Sequence, residues 1–127
     1  MDKKIKYNLK DQKYGVAKVA AAGPMANLIV AVFFGLLIRF GLITGYSLIS
    51  FCAAIVQINL VLMIFNLVPI PPLDGSKVIA PFLSISAQEK LEHLEKYGMI
   101  LVLLFVLFGF DLIVPAIEFL FRLIVGA

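Results

Sequence analysis

The chain has 127 residues, 62% of them hydrophobic and only 15% charged. A soluble domain is nearer half apolar, so the composition indicates an integral membrane protein and excludes an ordinary soluble enzyme. The formal charge of +3 gathers in the first eighteen residues, where six lysines face two aspartates; ahead of a long apolar segment, it is read as lipid contact and topology and not as a nucleic-acid site.

Residues 1–15 form a polar, lysine-rich lead, and residues 16–127 a membrane domain. No cleavable signal peptide is expected, because the first apolar stretch is long and lacks a small-residue cleavage pattern. The first apolar segment covers 16–43 and is interrupted at Pro24 and Arg39. Pro24 is tolerated if it falls in the first turn of that helix, where its missing N–H would be unpaired anyway. A Gly/Thr/Ser turn at 41–47 leads to a second apolar segment, 48–65. Its Cys52, the sole cysteine, excludes an internal disulfide and reads as a small buried hydrophobe.

A proline loop runs from Asn66 to Gly75. Proline cannot continue a helix and pushes the residue before it to extended geometry. The chain is therefore expected to leave its helix near Asn66 and run extended to Asp74. Bare backbone survives at membrane depth only where protein or a polar cavity meets it. A carboxylate delivered there is a functional-site candidate. A short helix follows over 76–82. Ser86-x-x-Glu89 then reads as a capping box opening a polar helix to about Tyr97. A third apolar run covers 98–114, and the tail 116–127 either extends it past a kink or lies at the surface. The expected class is all-α, polytopic, with about three transmembrane helices and a Pro-rich intramembrane loop. Lysine asymmetry places the lead and the proline loop on the cytoplasmic side, in the cell membrane, and the 41–47 turn outside.

Two constellations lie within the spans. Gly23, Asn27, Ala31 and Gly35 recur every four residues, a ridge that lets membrane helices approach closely. Asn59, Leu62, Met63 and Asn66 share a face of the second span, and both amides are expected to face the interior. They read as glue between helices, or, for Asn66, as a donor to a developing oxyanion near Asp74.

Gly23-Pro24-x-x-Asn27 resembles the GPxxN signature of the site-2 protease family of intramembrane zinc metalloproteases. Asn66-x-x-Pro69-x-x-Pro72-Leu73-Asp74-Gly75 resembles that family's NxxPxxPLDG signature. The resemblance covers about residues 14–80. It implies that Asp74 is the third zinc ligand and that Asn66 contacts the substrate or oxyanion. It further implies two histidines and a glutamate general base from an HExxH span. Histidines at i and i+4 share a helix face, and a carboxylate completes a three-ligand site open to water. Zinc lowers the pKa of such a water and polarises the scissile carbonyl.

The chain departs from that pattern, for it has no HExxH and its one histidine, His93, follows the LDG motif. It looks like the C-terminal half of a site-2 protease, with the HExxH half or partner chain expected upstream. Alone, it is expected to be inactive and to retain no zinc. His93 reads as a surface histidine, and Ser76, Ser84 and Ser86 as capping or turn residues lacking a base. The expected partners are the lipid bilayer, the HExxH-bearing half and a transmembrane protein substrate. The alternative is a non-catalytic pseudoprotease that binds membrane helices without cutting them. A small transporter or channel subunit also fits a broken helix, though only one intramembrane carboxylate and no inverted repeat support it.

Overall fold

The computed structural model describes the backbone of residues 3–126 and the side chains of residue 12 and residues 14–126. The charged side chains of the lead, up to Lys13, therefore lie outside the described residues. The chain is 86% helical, with no strand among the described residues. Among the described residues six α-helices follow in order: α1 (Lys3–Arg39), α2 (Tyr46–Leu67), α3 (Asp74–Ile79), α4 (Ile85–Leu94), α5 (Gly98–Leu104) and α6 (Val114–Val125). Among the described residues three stretches are long and apolar enough to cross a membrane: Tyr14–Arg39, Tyr46–Leu67 and Ile85–Leu112. At 1.5 Å per residue, even the 22-residue second stretch exceeds the roughly 30 Å of hydrocarbon.

Two compact units make up the chain: Met1–Gly23 with Asn66–Phe108, and Pro24–Phe65 with Gly109–Ala127. The second unit is a packing of helices around small residues. Ala31 is wholly buried on α1, and Val56 and Leu60 are wholly buried on α2. A β-carbon on Gly35 would meet the Ile124 side chain of α6 and lie 3.7 Å from Cγ2 of Val56. The C-terminal half of the small-residue ridge thus brings three helices together, as such ridges do in membranes. Arg39 then closes α6: its Nη1 donates to the carbonyl of Leu123 at 2.6 Å. Gly126, left-handed at φ +86°, ends that helix directly over the Arg39 side chain. The tail is therefore a separate helix, set off from α5 by a π-helical turn at Phe105–Gly109 and a 3-10 turn at Phe110–Leu112.

Several expectations are corrected. Pro24 sits in the interior of α1, not its first turn. It leaves the carbonyl four residues earlier without its helical donor, a defect that membrane helices accommodate through their surroundings. The buried stripe of α2 runs through Cys52, Val56, Leu60 and Met63, whereas Leu62 is exposed. Asn59 is half-buried, and its Nδ2 donates to the carbonyl of Ile55 one turn back in the same helix at 2.8 Å. Ser84, not Ser86, caps α4: it is extended (φ −63°, ψ 159°), and its hydroxyl accepts from the N–H of Ala87 at 3.2 Å. Ser86 already lies inside the first turn. Finally, the third candidate span begins at Ile85, so it includes the polar helix that charge alone sets apart.

Candidate functional site

The first unit is built around the proline loop. α2 ends at Leu67, within a residue of the expected exit. The loop then turns tightly instead of running extended. The N–H of Ile70 donates to the carbonyl of Val68 at 2.8 Å, and that of Leu73 to Ile70 at 2.7 Å. The Pro71–Pro72 peptide bond between them is cis. The reason is accounting: an extended strand would carry unmatched N–H groups, whereas prolines remove some donors and the turn satisfies the others. Pro71 is buried, while Pro69 and Pro72, two of the motif prolines, are exposed.

Three glycines let backbone and side chains close on this loop. A β-carbon on Gly75 would collide with the carbonyls of Leu67 and Val68, so the first turn of α3 rests directly on the end of α2. A β-carbon on Gly98 would sit 2.8 Å from the carbonyl oxygen of Pro71 and 3.0 Å from Cδ of Pro72, so the start of α5 lies against the prolines. A β-carbon on Gly23 would lie 3.7 Å from Oδ2 of Asp74. Gly98 is the residue that motif reasoning missed. The available signal was a glycine heading an apolar run, where close approach of another backbone is one of the few reasons to place it.

Asp74 opens α3 and is half-buried. It lines an open cleft of about 690 Å³ whose other wall is α1, through Gly15, Val16, Val19 and Ala20. Lys77, one turn further along α3, stands on the same cleft. Ser76 is buried, and its hydroxyl donates to the carbonyl of Leu73 at 2.9 Å, tying α3 to the residue before Asp74. The structure thus brings together Gly23, Asp74 and Gly75. Asn66 is half-buried in the last turn of α2, and Asn27 is half-buried in the other unit. His93 is exposed on α4 and lines a different open cleft with Ser86, Glu89 and Lys90.

The arrangement offers a carboxylate with open space beside it, next to a helix face made of small and apolar residues. The profile of peptidase family M50 matches residues 41–110, a stretch that holds the whole loop from Asn66 to Gly75. The chain belongs to peptidase family M50, the site-2 protease family. Among relatives, it is 39% identical over 93 residues to the Bacillus subtilis protein named "Putative zinc metalloprotease YwhC", covering 67% of this chain and 42% of that one. It is 42% identical over 66 residues to the Methanocaldococcus jannaschii protein named "Putative zinc metalloprotease MJ0611", covering 49% of this chain and 32% of that one. The chain therefore spans under half the length of these curated relatives. No solved structure matches it.

M50 membership implies zinc in the intact enzymes, and the donors can be tested against that. A catalytic zinc takes three protein ligands and keeps a fourth position open. Among the described residues, no three His, Cys, Asp or Glu side chains come together. Asp74 suits one arm of such a site, a hard oxygen donor facing open space. The described residues do not complete the set.

Proposed function

We propose that this chain carries the carboxylate arm of an M50 zinc site, and that peptide-bond hydrolysis within membrane-embedded substrates requires an HExxH-bearing segment that supplies the other ligands and the base. The observation that supports this most is the placement of Asp74, half-buried, on an open cleft, in a loop inside the family-matched stretch. A carboxylate facing bulk water on all sides, or sealed in the interior, would not serve a metal reached by substrate. Zinc bound at such a site would supply an acidified water and polarise the scissile carbonyl. The chain's own part is to hold Asp74 through the turn and Gly75, and to keep Gly23 free of a side chain beside it. Asn66, on the last turn of α2, is assigned to substrate or oxyanion contact.

The test is metal analysis and proteolysis of a transmembrane substrate, with the purified chain alone and after co-expression with an HExxH-bearing segment. Alone, the chain is expected to hold no stoichiometric zinc and to cut nothing. The combination is expected to hold zinc, and Asp74→Ala to lose it while helix content stays unchanged. Zinc and cleavage from the chain alone overturn the division of ligands. Zinc retained by Asp74→Ala overturns the ligand role and favours a membrane module that binds helices without cutting them.

A further inference from the structure

α2 buries one stripe, Cys52, Val56, Leu60 and Met63, within its own unit. With about 3.6 residues per turn, the opposite face carries Ser47, Ser50, Ala54, Gln57 and Val61, spaced alternately three and four apart. The first four are exposed and Val61 is half-buried. The exposed residues to either side of this face, Leu48, Phe51 and Ile58, are large and apolar. Gln57 stands at the middle of the candidate span and opens on a furrow of about 340 Å³ lined by Ala54, Gln57, Ile58, Val61 and Leu62. Its amide makes no hydrogen bond among the described residues, whereas that of Asn59 donates within α2. At that depth neither lipid nor bulk water supplies a partner.

We propose that this face of α2 docks the same face of a second copy of the chain. An amide both donates and accepts, so two Gln57 side chains satisfy each other across a two-fold axis, which sets the patch against itself. Copies inserted with the same orientation make that axis run along the membrane normal, and both amides then lie at one depth. Any other helix would need a polar group of its own at the matching depth; a second copy carries one by construction. The small side chains of Ser47, Ser50 and Ala54 let the two backbones approach, and the three-four spacing is that of a left-handed helix pair.

The experiment is energy transfer between donor-labelled and acceptor-labelled copies of the full chain in phosphatidylcholine vesicles, without metal, as added lipid dilutes the protein. Transfer is expected to fall along a monomer–dimer curve. Gln57→Leu is expected to weaken association about tenfold, the scale of one or two hydrogen bonds between membrane helices, with helix content unchanged. Ala54→Phe is expected to abolish association by holding the backbones apart. Oxidation is expected to link copies bearing Ser47→Cys and not copies bearing Leu48→Cys, which lies at nearly the same depth but faces away; the native Cys52 is buried. A chain monomeric at every dilution, association that either Gln57→Leu or Ala54→Phe leaves untouched, or equal linking at the two positions overturns the proposal. So does linking of Ser47→Cys to a co-expressed HExxH-bearing segment or transmembrane substrate in place of a second copy, which gives the face to that occupant. No metal enters the measurement, so its outcome and the zinc retention that tests Asp74 stand or fall separately.

Discussion

At the scale of single residues, glycines shape the candidate site, each by what its absent side chain permits. Gly75 and Gly98 face backbone carbonyls or a proline ring that cannot swing aside, whereas nothing lies within 4 Å of a β-carbon built on Gly15. Gly75→Ala and Gly98→Ala are therefore expected to destabilise the folded protein by about 2–3 kcal/mol, the usual cost of overpacking. Gly15→Ala should instead gain up to about 1 kcal/mol of helix propensity. Unfolding in mixed micelles, followed by helix content, measures all three. Gly23 differs again: its neighbour is a carboxylate oxygen at ordinary contact distance, so Gly23→Leu crowds Asp74 before it disturbs any helix packing in that unit. The identities of Gly23, Asp74 and Gly75 were legible in the letters because their spacing matches a known signature. Gly98 was not, since its partner, Pro71, lies far away in sequence and only folding reveals the contact.

At the scale of elements, periodicity located the spans well and their faces less well. The two expected apolar segments match the span-long stretches Tyr14–Arg39 and Tyr46–Leu67 to within a turn or so at each end, although α1 itself begins at Lys3, inside the polar lead. The face of α2 was misread because a polar side chain in lipid was assumed to need a partner on another helix. Asn59 instead bonds within its own helix, which frees the buried stripe to follow Val56 and Leu60. The proline loop shows the opposite error: a rule about single prolines, extended geometry before each, gave way to the hydrogen-bond demand of the loop as a whole. The α4 cap can be tested directly. Ser84→Ala removes the acceptor for the Ala87 N–H and is expected to cost about 1 kcal/mol of local stability, with Ser86→Ala nearly neutral. Hydrogen exchange at the first turn of α4 distinguishes the two.

At the scale of the whole molecule, lysine placement and the contacts of α6 lead to one expected topology. The Arg39 side chain bonds the last turn of α6, so the chain's end lies beside the end of α1, next to the turn that joins α1 to α2. With the lysine-rich lead inside, a reporter fused after residue 85 is expected to read cytoplasmic and one fused at the C-terminus external. The same side for both overturns this arrangement. The class of membrane protein was legible from composition alone. The family was legible from two short signatures, and the match over residues 41–110 agrees with that reading. Whether a site is complete could not be read from a motif, because a metal centre is a meeting of distant residues; among the described residues no three His, Cys, Asp or Glu side chains come together.

The seat of Gly75 on the carbonyls of Leu67 and Val68 has a consequence for biosynthesis. Its partners are near neighbours along the polypeptide, and short loops close far more readily than long ones. As the chain leaves the ribosome, the bend carrying the acidic group is expected to shut against its own preceding helix while the last span is still being translated. The later arrival, docking through Gly98, then locks a shape already made.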